Sequence, residues 1–314
     1  MLWGFVKKIV IADRIGAFTK EIFGHTFDYH GGIFLAVGIA YSIQIYCDFS
    51  GCMDIVRGTS ECFGIVLGEN FRRPYFSQTL PEFWRRWHLS LGAFFREYVF
   101  YPVSTSKLFL KLNVKIRDHL GNVIGKVFAA SIPILCVWVL TGLWHGAKWN
   151  YIAWGLYHGV LICMSTLFEE PLAKLTKALR IKTDCISWEI FRMLRTFILC
   201  VIGRLIFMGQ GIRSSIWMIR SMVFDHSRVY NIVDEFSLSG REWRVLIFGC
   251  LLLLAVSIAQ EIMERRGSTG DVREWLAKQN IVFKWLVMAA GLAFIAICGV
   301  YGSGAGASFI YEQF

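Results

Sequence analysis

The chain has 314 residues, of which 55% are hydrophobic and only 18% charged, and its mean hydropathy is +0.50. Soluble domains carry about 25% charged residues, so this composition excludes an ordinary soluble fold and indicates an integral membrane protein. The net charge of +10 does not point to nucleic acid, because Lys and Arg sort by loop, as the positive-inside rule describes.

Nothing at the N-terminus reads as a cleavable signal peptide. Phe5–Phe18 is amphipathic, with Lys7, Lys8, Asp13 and Arg14 set among Ile and Val, and is expected to lie on the membrane surface. Six windows then reach the roughly 20 apolar residues that a spanning helix needs: Gly31–Phe49, Val127–Trp144, Trp149–Phe168, Ile190–Gly209, Trp243–Met263 and Val282–Tyr301. The fourth carries Arg192, Arg195 and Arg204 and is the least apolar of them. If the six alternate, Gly51–Lys126, Glu169–Glu189 and Glu264–Ile281 share one side with 19 Lys and Arg, against 9 on the other. The richer side is expected in the cytoplasm, and the turn at His145 then opens outside.

The first window ends in Gln44-Ile45-Tyr46-Cys47-Asp48-Phe49-Ser50-Gly51. Gln44 and Asp48, four apart, share a helical face, and Ser50-Gly51 before Asp54 suggests a bend. Asp48 fits either a carboxylate that orients a base or cation, or an interfacial acid paired with a nearby base. Nine cysteines make no framework: Cys136, Cys163, Cys200, Cys250 and Cys298 lie inside apolar windows, where they act as small apolar residues, and Cys47, Cys52 and Cys62 lack C-x-x-C spacing.

Thr79-x-x-Glu82 with Pro81 reads as a capping box opening a helix. That helix would align Trp84, Trp87, His88, Leu91, Phe94 and Phe95 on one aromatic face, with Arg85 and Arg86 pointing elsewhere. Such a face ordinarily packs against other helices. His88 within it is costlier than Leu would be. Lys107–Lys126 is strongly basic and suits a solvated cytoplasmic face, or a docking surface for an anionic carrier or lipid headgroups.

Between the second and third windows stands Trp144-His145-Gly146-Ala147-Lys148. So short a turn holds the two helices antiparallel and leaves an imidazole at the membrane face. His145 is either an interfacial histidine among belt aromatics such as Trp144 or a functional group facing a polar cavity. Downstream, Gln210–Glu242 holds Asp225, His226, Asp234 and Glu235 without catalytic spacing, and Gly302–Ala307 is a run of small residues.

Several stretches together resemble the membrane-bound O-acyltransferase (MBOAT) family, in its bacterial branch of alginate and peptidoglycan O-acetylation and teichoic-acid D-alanyl transfer proteins. They are Tyr46–Gly51 with Asp54, Glu69–Tyr75 including Asn70, Glu82–Leu91, Arg96–Tyr98, Thr141–Ala147, Trp154–Gly159 and Phe309–Phe314. Family members are usually longer, with further spans ahead of the segment resembling Met1–Gly24, so the chain looks like a C-terminal portion. They also often carry F-F-R-A where this chain has Ile206-Phe207-Met208-Gly209.

The resemblance implies an all-α polytopic membrane protein. It would be a single domain over residues 1–314, with about six transmembrane helices and amphipathic or re-entrant helices around a central tunnel. It implies that His145 is the family's central histidine and His88 a second one, with Asp48, Asp54, Asn70, Trp84, Arg85, Arg86, Trp87 and Trp144 on the substrate path. The implied activity is transfer of an acyl group, acetyl above all, to hydroxyls of an extracytoplasmic polysaccharide or cell-wall polymer. The donor would be a cytoplasmic thioester (acyl-CoA or an acyl carrier), with no bound cofactor or metal. The implied partners are membrane lipid, the acyl carrier and a periplasmic or extracellular acetyltransferase, and not nucleic acid. The implied location is the bacterial cytoplasmic membrane. An inactive remnant, or a transporter lined by His and Asp, are the competing readings.

Overall fold

The computed structural model describes all residues except 226–229, 231–234, 237, 268–270 and 302–314. His226, Asp234 and the closing Phe309–Phe314 therefore lie outside the described residues. The regular secondary structure of the described residues is all helical, apart from one isolated bridge between Phe71 and Trp87. It divides into two compact units, Met1–Gly68 with Arg220–Phe314, and Glu69–Ile219.

The first unit is organised on a polar clamp. Helix α1 (Leu2–Phe5) runs through a π-helical stretch, Val6–Ala12, into α2 (Asp13–Gly24). The expected surface helix is instead buried: Val10, Ile11, Ile15 and Phe18 are core, and so are Lys7 and Lys8. The reason stands on α3 (Ile33–Cys62). Lys8 Nζ bridges Asp48 at 2.6 Å and Asp13 at 2.9 Å, and Lys7 Nζ reaches Ser50 at 2.8 Å and Asp54 at 2.9 Å. Burial works against the charge on Lys8, yet the hydrogen bonds it donates to Asp48 and Asp13, with their negative charges, carry its pKa above the ordinary lysine value. Gln44 continues the same stripe, accepting from Thr19 Oγ1 at 2.6 Å. The expected bend at Ser50-Gly51 does not occur. Gly51 instead admits the backbone of Gly4, whose carbonyl oxygen would lie 2.8 Å from a Cβ placed there.

The unit is completed by α13 (Gly240–Arg265), opened by a capping box of Ser239 and Glu242, by α14 (Val272–Ala277) and by α15 (Ile281–Cys298). Arg14 Nη2 donates to the Cys298 carbonyl at 2.8 Å, and Val300 N donates to the Ile9 carbonyl, 2.9 Å away. These contacts tie the end of α15 to the N-terminal helix.

The second unit holds α4 (Leu80–Arg86), α5 (Leu89–Phe95), α6 (Tyr101–Thr105), α7 (Lys107–Leu120), α8 (Asn122–Trp144), α9 (Trp149–Leu167), α10 (Glu169–Ala178) and α11 (Ile186–Met208), and α12 (Ile212–Phe224) follows in the chain. On α7 only Phe109 is buried, stacked on Phe128 with ring centroids 5.6 Å apart, and the basic side chains stay outside. Helices α8 and α9 form the expected antiparallel hairpin. Gly142 and Gly155 allow its close packing, since a Cβ on either would collide with backbone of the opposite helix.

Four helices are long and apolar enough to cross a membrane: α3, α8 from Ile124, α13 and α15. A fifth is the pair α9 and α10, bent by 56°. The protein is thus a polytopic, all-helical membrane protein. The fourth window, Ile190–Gly209, does form a helix, α11, but Arg192, Arg195 and Arg204 take it out of the set defined by composition.

Candidate functional site

The α8–α9 hairpin places the first histidine. His145 caps α8 in αR conformation (φ −75°), its N–H donating to the Gly142 carbonyl at 3.2 Å. Gly146 follows at φ +136°, a backbone shape that a side chain would strain. The imidazole is therefore fixed by a helix end rather than carried on a loose loop. Aromatic rings enclose it: Trp144 at 4.7 Å between centroids, Trp154 at 5.2 Å, Phe207 at 4.9 Å and Tyr151 at 6.3 Å. Burial, reinforced by the positive field of Arg204 and by His88, lowers the His145 pKa to about 3. A helix C-terminus favours imidazolium, so here desolvation wins. At neutral pH the ring is uncharged and able to accept a proton.

The second histidine sits where the expected aromatic helix breaks. Trp87 is extended (φ −109°, ψ 123°) and His88 left-handed (φ 49°, ψ 59°), so α4 and α5 are separate helices and the six residues share no single face. The cause is a crossing segment. Arg72 N donates to the Arg86 carbonyl at 2.9 Å, and Leu89 N donates to the Asn70 carbonyl at 3.1 Å. Trp87 turns inward as a result, while Phe94 is 53% exposed. The capping box is half formed: Thr79 Oγ1 accepts from Glu82 N, but the Glu82 carboxylate accepts from Gln78 N. Asn70 Oδ1 accepts from Ser90 N and Ser90 Oγ and lies 3.2 Å from His88 Nδ1. An acceptor there makes His88 Nδ1 the donor and leaves the lone pair on Nε2. Burial lowers the His88 pKa to about 4.

The two histidines meet a common aromatic wall. Trp144 contacts both rings, 6.3 Å from His88. Trp84 packs edge to face on Trp138 at 4.7 Å and on Trp154 at 5.6 Å. Within the second unit, His145, His88, Asn70, Trp84, Trp87 and Trp144 thus belong to one neighbourhood. Arg86 is drawn off into an ion pair with Glu82 at 2.8 Å, and Arg85 is exposed. Asp48 and Asp54 belong to the first unit, where each faces a lysine.

Three residues went unremarked as site candidates in the sequence. His158, 1% exposed, lies 4.9 Å from Trp84 and 5.3 Å from Trp154. Its i+4 spacing from Trp154 was the available signal. Asn150 Nδ2 donates to the carbonyls of Phe207 and Gly209 at 2.8 and 2.9 Å, fastening α9 to α11 beside His145. Arg204 stands over the Trp87 ring, 4.5 Å from its centroid. Among the described residues no group of three or more His, Cys, Asp or Glu converges as metal ligands would.

Comparison with known proteins gives the family to which the chain is similar. The family model of the membrane-bound O-acyltransferases matches residues 26–116, which include Asp48, Asn70, Trp87 and His88. The probable alginate O-acetylase AlgI of Pseudomonas syringae is 30% identical over 267 residues, covering 85% of this chain and 46% of its own length. The probable alginate O-acetylase AlgI of Pseudomonas aeruginosa is 31% identical over 257 residues, covering 82% and 44%. The peptidoglycan O-acetyltransferase of Helicobacter pylori is 29% identical over 220 residues, covering 70% and 37%. The chain therefore spans 37% to 46% of the length of these relatives.

Proposed function

Because the chain belongs to the membrane-bound O-acyltransferase family, we propose that it transfers an acyl group, acetyl in the first instance, to a hydroxyl of an extracytoplasmic polysaccharide or cell-wall polymer. The donor is a thioester delivered from the cytoplasm, as acyl-CoA or an acyl carrier. The observation that carries this reading is the buried, neutral imidazole of His145, held at a helix end within an aromatic wall shared with His88.

The chemistry follows from those groups. His145 takes the proton of the acceptor hydroxyl as its oxygen bonds to the thioester carbonyl carbon. The carbonyl π electrons move onto oxygen, giving a tetrahedral oxyanion. Collapse reforms the carbonyl and breaks the C–S bond, and the departing thiolate recovers the proton from the His145 imidazolium. General base catalysis of this kind contributes typically 10²–10⁴-fold. His88, its Nδ1 turned to Asn70, presents Nε2 to position the donor or to relay the proton. No resident cofactor enters the scheme. The site would sit in the cytoplasmic membrane of a bacterium, fed from inside and serving an acceptor enzyme or polymer outside.

The test is acyl transfer from a radiolabelled acetyl thioester to polymer in membranes carrying the chain. His145→Ala should insert normally and lose about 10²–10⁴-fold in rate. Transfer close to wild type in that variant overturns the assignment.

A further inference from the structure

Arg204 is the unexplained charge of the second unit. It lies on the buried face of α11 and is 4% exposed, yet its Nε and Nη2 have no hydrogen-bond partner. No carboxylate pairs with it among the described residues. Arginine cannot shed its charge as a buried lysine or histidine can. The Trp87 face beneath it, 4.5 Å away, offsets only part of the desolvation. The donors left over are pre-set for an anion that the protein itself does not supply.

Its position says which anion. Arg204 is one helical turn before Phe207, whose ring meets His145 edge to face. It follows Gly203, where a Cβ would lie 2.5 Å from His158 Nε2. On its other side Trp87 is the residue next to His88. The guanidinium thus occupies the same aromatic wall as both histidines, on the helix that packs over His145.

We infer that Arg204 is the oxyanion-stabilising group of the acyl transfer, donating through Nε and Nη2 to the carbonyl oxygen of the thioester as it becomes negative. The inference rests on the acyl-transfer reading. In that step the hydroxyl oxygen bonds to the carbonyl carbon, its proton passes to His145, and the displaced electron pair rests on the oxygen facing Arg204. The pair then returns, the C–S bond breaks, and the thiolate is protonated from His145. A fixed, dry cation is well suited to this, because it needs no reorganisation when the charge appears.

The experiment compares purified wild type, Arg204→Met, Arg204→Lys and His145→Ala for kcat, donor KM and thermal stability in detergent. Arg204→Met should be at least as stable as wild type, because an apolar side chain replaces an unpaired buried charge. Its kcat should fall about 10²–10³-fold with donor KM nearly unchanged. Arg204→Lys keeps the charge without the planar fork and should fall between the two. A lowered melting temperature with activity tracking the folded fraction makes Arg204 structural and overturns the inference. A raised donor KM at unchanged kcat overturns it too, because Arg204 would then hold a permanent anion of the donor. Wild-type rates in Arg204→Met, beside an inactive His145→Ala, sink this inference alone. If wild type transfers no more than His145→Ala, the acyl-transfer reading falls and takes the inference with it.

Discussion

The ring of Phe207 stands perpendicular to the imidazole of His145, centroids 4.9 Å apart and planes at 87°. It is one of the rings that keep water from His145, and so one of the causes of a pKa near 3. The kcat/KM of the wild type should therefore show no acid limb at the ordinary histidine pKa of about 6.5. It should hold its value down to about pH 5, since His88 is half protonated only at about pH 4. Phe207→Leu thins the wall, admits water and raises the His145 pKa. Protonated base then accumulates at higher pH, and an acid limb should emerge between pH 4 and 6. A wild-type limb already at 6.5 would show that the rings do not set the basicity.

The same depression couples pH to stability. Between about pH 3 and 6.5 the unfolded chain binds a proton at this position that the folded chain refuses. Stability contributed by neutral His145 is thus fully present above 6.5 and is lost as pH falls toward 3. Melting temperature should drop over that window in wild type and drop less in His145→Ala.

His88 answers to Asn70. The amide of Gln keeps a hydrogen bond but does not titrate, so His88→Gln should retain a measurable fraction of activity while His88→Ala loses nearly all. Asn70→Ala removes the acceptor that holds His88 Nδ1, Ser90 N and Ser90 Oγ. It should lower activity about tenfold, through loss of one or two hydrogen bonds of ~1 kcal/mol each. Equal, complete loss in His88→Gln and His145→Ala would make His88 as indispensable as His145.

Lys8 holds two carboxylates, Asp48 at 2.6 Å and Asp13 at 2.9 Å, inside the first unit. Removing one partner of a buried ion pair leaves charge uncompensated and costs about 3–5 kcal/mol. Lys8→Met should therefore lower the melting temperature sharply, and adding Asp48→Asn should recover much of the loss. If Asp48→Asn alone leaves stability untouched but raises a substrate KM, Asp48 serves the substrate rather than the clamp.

How legible each of these was depends on how local its cause is. The α8–α9 hairpin could be read directly, because two apolar runs flank the short turn Trp144–Lys148. His145 came with it. The break at His88 could not be read, because it is imposed by Asn70 and Arg72, which lie far along the chain and take the backbone groups a continuous helix would have used. Lys7 and Lys8 looked like the polar face of a surface helix for the same reason, their partners Asp48, Ser50 and Asp54 being some 40 residues away. Arg204 was visible only as a charge that spoiled an apolar window. Its lack of a partner is a property of the packed unit.

The final prediction concerns the side of the membrane from which each half of the reaction is served. Lys115 lies on α7, whose basic face is exposed, and Lys148 closes the His145 turn. A spanning helix, α8, separates them. By the positive-inside rule the excess of Lys and Arg in Gly51–Lys126 is expected to put α7 in the cytoplasm; on the acyl-transfer proposal the donor would then arrive on that side and the His145 turn would open toward the polymer. Single cysteines at positions 115 and 148, with the nine native thiols removed, report this with a membrane-impermeant maleimide. On intact cells position 148 should label and position 115 should not, and permeabilisation should expose 115. Labelling of 115 from outside, with 148 protected, would reverse the orientation and with it the direction in which the acyl group crosses.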